Sequence, residues 1–177
     1  MKNATGSGQG YVIYVESNTT GTGELFIQQT KELGFRPLLV THDKRRYPFS
    51  GDLQEFEIIE SATTDATTVI SSIQNKLSIS QIAGVYSASE YYVPLASKVA
   101  QLIGAPSGNP EQVRRIRDKS IQRELLSSSE PSLCPQYKLV KDVTQAREAA
   151  EKIGFPVVLK PVDGSGSVMV RMCGNPQ

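Results

Sequence analysis

Apolar residues fall along this chain in short β-branched and aromatic runs, separated by stretches of helical period. The first run, YVIYVES (Tyr11–Ser17), predicts a buried strand flanked by polar turn residues. The loop NTTGTG follows, then ELFIQQTKELGF, a helix that Gly34 ends just past its C-cap. RPLLVT predicts a second strand, FEIIE (Phe56–Glu60) a third and IAGVYS (Ile82–Ser87) a fourth. Between the third and fourth, Asp65 is placed to cap a helix through ATTVISSIQNKL. SEYYVPLASKVAQLIG then puts Tyr92, Leu95, Ala96, Val99 and Ile103 on one helix face. The order β-α-β-β-α-β-α predicts an α/β layer with a largely parallel sheet. Such sheets bind ligands in the loops at the carboxyl ends of their strands.

The pattern changes near residues 104–110, where a domain boundary is expected. In SGNPEQVRRIRDKSIQRELLSSSEPS, Asn109 is an N-cap, Pro110 occupies the first helical position and Gln112 sits three residues after the cap. This basic helical region is expected to end in a Ser-rich loop before Pro131. The remainder reads QYKLV, DVTQAREAAEKIG, FPVVLKP, a loop, then SVMVRMC, a β-α-β-β unit whose last two strands form a hairpin. Asp142 and Gln145 form a capping-box pattern; Val143, Ala146, Ala150 and Ile153 line the apolar face, and Gly154 stops the helix. The unit is too small to bury a good core alone. The expected divisions are a disordered lead-in at 1–9, an α/β domain at 10–105, a helical linker at 106–130 and a small α+β unit at 131–177. No internal repeat is present.

Composition narrows the function classes. The 19 basic and 18 acidic side chains nearly cancel, so no general pull towards nucleic acid or an anionic membrane is expected. No apolar run reaches the length of a membrane span. The N-terminus lacks the apolar core of a signal peptide. Cys134 and Cys173 are too few for a disulfide framework and lack metal-ligand spacing, which fits a reducing cytoplasm; Cys134 reads as a small packing residue.

Three places could carry chemistry. In KPVDGSGSVMV, the loop from Asp163 through Gly164, Ser165, Gly166 and Ser167 to Val168 offers successive backbone N–H groups and Ser hydroxyls to an anion. Lys160 ends the preceding apolar strand. The same loop also reads as a polar hairpin turn, and it is not a P-loop, since it precedes a strand rather than a helix. Lys119 lies in RRIRDKSIQREL, which reads equally as a solvated basic helix. Glu90 follows the fourth strand, and Ser87-x-x-Glu90 also fits a capping box. In NTTGTGE, Gly21-x-Gly23 with Asp43 some 20 residues on suggests a dinucleotide site, but Phe26 stands at the third glycine position. The backbone of that loop, from Asn18 and Thr19 onward, could instead accept a substrate carboxylate at a helix start. His42 reads as an ordinary loop residue, with no Ser or Cys arrangement to support a triad.

VYSASEYYVPLASKVAQLIGAPSGNPEQVRRIRDKSIQREL and, about 40 residues after RDK, GFPVVLKPVDGSGSVMV together resemble the front part of an ATP-grasp enzyme. The resemblance is to carboxylate–amine ligases, including L-amino acid ligases, and is weaker before residue 80. It implies a Rossmann-like pre-ATP-grasp domain, a helical linker and a small ATP-grasp subdomain, with the C-terminal subdomain missing. It implies that Lys119 contacts ATP phosphate, that Lys160 binds the α/β-phosphates, and that Asp163–Val168 close over ATP. It implies that Glu90 lies on the side of the acid substrate, the role for which Asn18 and Thr19 are candidates through the loop that follows the first strand. The family's cofactors are ATP and Mg²⁺, its partners a small amino acid-like carboxylate and an amine, and its product an amide formed through an acyl phosphate. The family usually keeps glycine where this chain has Met169, which puts the closing path of the loop in question. The acidic and Asn metal ligands are expected in the missing subdomain, so no catalytic or metal residue is assigned to this chain, and it is not expected to catalyse alone. A truncated sheet would leave an apolar face or edge open to a homodimer. The competing readings are a non-catalytic ligand-binding or interaction module and a dinucleotide-binding oxidoreductase domain.

Overall fold

The computed structural model describes residues 10–51 and 57–175. The expected lead-in at 1–9 and Phe56 of the expected third strand lie outside the described residues. The chain divides into two compact units, the first ending at Val113 and the second beginning at Arg114.

The first unit is a four-stranded parallel sheet. Its strands β1 (Tyr11–Val15), β2 (Arg36–Thr41), β3 (Glu57–Glu60) and β4 (Ile82–Tyr86) lie in the order β3-β2-β1-β4. The period-2 alternation of a strand sends successive side chains to opposite faces, and both faces are apolar here. Tyr11, Ile13, Val15, Leu38 and Val40 pack against Val69 and Ile73 of α2 (Ala66–Gln74) and Ala96 and Val99 of α3 (Val93–Ile103). On the other face, Tyr14 and Leu39 pack against Ile27 of α1 (Thr22–Glu32), Tyr47 and Phe49. The loop after β2, which reads as polar, therefore contributes two core aromatics through short 3-10 turns. Each fully buried aliphatic side chain is worth roughly 1.5–3 kcal/mol.

Local signals set the ends of the helices. The Asp65 carboxylate accepts the Thr68 amide at 2.9 Å. Gly34 (φ 83°) and Gly104 (φ 76°) take the left-handed turns that close α1 and α3. Asn109 accepts the Glu111 and Gln112 amides at 3.0 and 3.2 Å and caps α4 (Pro110–Arg117).

From the basic region onward the chain departs from expectation in four places. The basic region is two helices, because Asp118 interrupts it and caps α5 (Lys119–Ser129). The expected Ser-rich loop is the last turn of α5: Ser127 and Ser128 donate to the Glu124 carbonyl at 3.0 and 2.8 Å, and Ser129 to that of Leu125 at 2.9 Å. These back-bonds satisfy the hydroxyls within the helix. Gln136–Val140, expected as a strand, has no ladder partner. After α6 (Val143–Ile153), which Asp142 caps through the Gln145 amide, come β5 (Val157–Leu159) and β6 (Arg171–Cys173), an antiparallel pair. The final strand is shorter than SVMVRMC suggests, because residues 166–169 turn. None of the described residues of this unit is buried; the cross-strand pair Val158 and Met172 is 56% and 78% exposed. Among the described residues no helix is long and apolar enough to cross a membrane.

Gly23 fixes the path between β1 and α1. A Cβ there would lie 1.9 Å from the Asn18 carbonyl oxygen, a backbone atom that cannot swing away. Gly23→Ala is expected to destabilise the protein by about 1–3 kcal/mol, as overpacking does. The check is a lower urea midpoint with an unchanged slope.

Candidate functional site

Two constellations emerge, one in each unit. In the first, the carboxyl ends of the strands converge on Glu16, which directly follows β1. Its side chain is fully buried, and its backbone is left-handed at φ 50°. One carboxylate oxygen accepts hydrogen bonds from the Tyr47 hydroxyl (2.6 Å) and the Thr41 hydroxyl (2.8 Å). The other accepts from the His42 amide (2.8 Å), the Thr63 hydroxyl (2.8 Å) and the His42 ring at Nδ1 (2.7 Å). Burial alone would raise the Glu16 pKa. The bonds donated by Tyr47, by the His42 backbone and ring and by Thr41 outweigh it and hold the carboxyl below its ordinary value. Burial, and donation to Glu16, push the Tyr47 hydroxyl far up, so it remains a donor. Tyr47 also accepts the Ser17 amide at 2.9 Å. The Ser87 hydroxyl donates to the Glu16 carbonyl at 3.3 Å, which brings in the end of β4. Ser17, itself buried, has a hydroxyl oxygen with no hydrogen-bond partner, beside Gly23.

The sequence-predicted substrate residues of this unit lie on the same edge. Asn18 is exposed and donates to the Thr22 hydroxyl at 2.8 Å; Thr19 is half-buried. Glu90 is exposed, in the turn before α3. The Ser87 hydroxyl bonds Glu16 and the residue Ser89 instead of forming the expected box with Glu90. Asp43, the acid of the dinucleotide pattern, is gripped by the Arg45 guanidinium at 2.8 and 3.0 Å, which lowers its pKa to about 2.

In the second unit, RDK folds as a cap and a clasp. The Asp118 carboxylate accepts the Ser120 hydroxyl and the Ser120 and Ile121 amides, with the Ser120 hydroxyl first among the causes that lower its pKa. The next residue, Lys119, donates its amide to the Val162 carbonyl at 2.9 Å. Its ammonium reaches the carbonyls of Gly164 (3.2 Å) and Val162 (3.5 Å). Lys119 and the Gly/Ser loop, 45 residues apart, are thus brought together, a convergence that spacing alone could not establish. Lys160 and Asp163 are exposed beside that loop, Gly164 and Ser165 are half-buried, and Val168 is exposed. Gly164, Gly166, Ser167 and Met169 all have positive φ, at 116°, 66°, 59° and 59°. Met169 therefore adopts the left-handed conformation for which glycine is the usual choice, and its side chain is 77% exposed.

The run YVIYVES (Tyr11–Ser17) predicts the strand, but nothing in it marks Glu16 as the anchor of a network. The available signal was a charged residue closing a wholly apolar run.

No family model matches the chain. It is 28% identical over 156 residues to protein y4rH of Sinorhizobium fredii (strain NBRC 101917 / NGR234), across 88% of this chain and 32% of that one. Among solved structures it is similar to the L-amino acid ligase from Bacillus licheniformis (TM-score 0.70, 17% identity, 97% of this chain, 40% of that one). It is also similar to an N5-carboxyaminoimidazole synthetase from Staphylococcus aureus complexed with ADP (TM-score 0.68, 14% identity, 98% and 44%). The chain thus shares its fold with part of each of these two enzymes. The chain spans about a third of y4rH and about two-fifths of the two ligases.

Tyr47→Phe removes a donor from Glu16 and the acceptor of the Ser17 amide. It is expected to cost about 1.5–3 kcal/mol, the range for hydrogen bonds to charged groups, read by urea denaturation. Acid should act on the same knot. The folded Glu16 pKa lies below its unfolded value, so its contribution is fully present above the unfolded pKa of about 4.3 and is lost as pH falls through the folded pKa. Melting temperature measured from pH 7 to pH 3 is expected to fall below about pH 4.3, and to fall less in Glu16→Gln.

Proposed function

We propose that the chain forms the N-terminal part of an ATP-dependent carboxylate–amine ligase, which makes an amide or peptide bond through an acyl phosphate. The observation that carries this reading is the Lys119 clasp on the Gly164 carbonyl. A helix-borne ammonium and a loop of small residues meet without a large side chain between them, a fitting cradle for the phosphates of ATP. In this reading residues 10–105 receive the acid, with Asn18, Thr19 and Glu90 at the substrate side. Residues 106–130 link to the small subdomain at 131–177. Lys119 and Lys160 neutralise phosphate charge, and Asp163–Val168 close over ATP and keep water from the acyl phosphate. Lys119 would exchange its bonds to loop carbonyls for bonds to phosphate oxygens. For Mg²⁺ the fit is different: no group of three or more His, Cys, Asp or Glu side chains among the described residues is placed to hold a metal ion. No step is assigned through a metal on this stretch. The oxidoreductase alternative loses support because its Asp43 is held by Arg45.

The test is ADP release by the protein that carries this chain, with ATP, Mg²⁺ and mixed small amino acids as acid and amine. Release that requires both partners is expected. Lys119→Ala and Lys160→Ala should each lower kcat/KM for ATP by about 100-fold, the scale of a lost charge-stabilising donor. Release that ignores the amine, or tighter binding of NAD than of ATP, would overturn the reading.

A further inference from the structure

Just past β2, at the carboxyl edge of the first unit, the chain carries one imidazole and three cations: His42, Lys44, Arg45 and Arg46. Two of the cations are matched. The Lys44 ammonium lies 3.1 Å from the Glu60 carboxylate, and the Arg45 guanidinium grips Asp43 at 2.8 and 3.0 Å. Arg46 is different. Among the described residues its guanidinium meets no carboxylate, and its contact is with Nε2 of His42 at 3.4 Å. That is longer than an ordinary N–H hydrogen bond. Arg46 is exposed, and the His42 side chain is 43% exposed.

The other side of the ring is fixed. Nδ1 and the His42 amide lie 2.7 and 2.8 Å from the same Glu16 carboxylate oxygen. Glu16 is fully buried and immobilised by Tyr47, Thr41 and Thr63. A guanidinium only donates, and a carboxylate only accepts. The ring therefore keeps its proton on Nδ1 and turns a bare lone pair towards Arg46. A second proton, on Nε2, would make that nitrogen and Arg46 two neighbouring donors. The charge gained by the ring would face the Glu16 carboxylate.

We propose that His42 and Arg46 form a binding site for a phosphate monoester, confined to the first unit and independent of the ligase reading. The phosphoryl group sits between Nε2 and the guanidinium and displaces their long contact. Its tetrahedral oxygens accept from the fork of Arg46 and from Nε2–H at once, whereas the fork alone uses both oxygens of a carboxylate. The proton on Nε2 comes from solvent or from the phosphoryl group, whose second pKa is about 6. Glu16 acts as the positioning residue, holding the ring through Nδ1.

The test is a titration with inorganic phosphate, followed in long-range ¹H–¹⁵N spectra of the His42 imidazole. Its signals are identified by their loss in His42→Asn. Without phosphate, at neutral pH, Nδ1 should be protonated and Nε2 bare; the opposite tautomer would overturn the proposal. Phosphate should move Nε2 saturably to its protonated position. Arg46→Gln removes the charge from an exposed side chain, so the unfolding midpoint should stay unchanged. It should raise the half-saturating phosphate concentration by about 10-fold, the low end for a hydrogen bond to a charged group. An equal response in Arg46→Gln would overturn the proposal, as would a shift that sodium chloride reproduces at equal ionic strength. Acetate acting as strongly as phosphate would overturn the phosphoryl assignment. None of these outcomes depends on ADP release, so this site and the ligase reading stand or fall separately.

Discussion

Everything at the carboxyl edge of the parallel sheet depends on one buried carboxylate. Glu16 follows β1 directly, and the groups that satisfy it come from the ends of β2 and β3 and from the turn that carries Tyr47. A charge in such a place is tolerated only when its oxygens are saturated with donors. That requirement fixes where β2 must end, where Thr63 must lie after β3, and how deeply Tyr47 must reach. The left-handed backbone at Glu16 is a strained state for a residue with a Cβ, and it persists because the surrounding bonds over-determine it. The same network holds Ser17 through Tyr47, and so sets the start of the loop that leads to α1.

The two units illustrate different ways of holding a loop. In the first, the loops rest on a sheet with fully buried residues on both faces. In the second, the described side chains are all at least partly exposed, and the Gly/Ser loop is held by the amide and ammonium of Lys119. The bonds of a lysine clasp to carbonyls can be exchanged for others without unpacking a core.

The sheet was legible in the sequence because its determinants are local. YVIYV and RPLLVT carry their own pattern, and Asp65, Asn109 and Asp142 each bond amides two or three residues away. Misreadings arose where a local pattern had another solution. Three serines before a proline suggested a loop, yet each hydroxyl found a carbonyl in its own helix. QYKLV had strand character but no partner strand. THDKRRY reads as a polar loop, yet its Tyr47 and the Phe49 just after it are core residues. The Glu16 knot was the least legible part, since its partners at 41, 42, 47 and 63 lie 25 to 47 residues away. Lys119 and the loop were separately visible; their contact across 45 residues became clear only through the fold.

The backbone at Met169 has a chemical consequence. Met169, left-handed at the turn, leaves a thioether largely open to solvent beside a loop rich in glycine and serine. Oxidation there would turn an apolar tip into a polar, chiral sulfoxide without disturbing any packed neighbour.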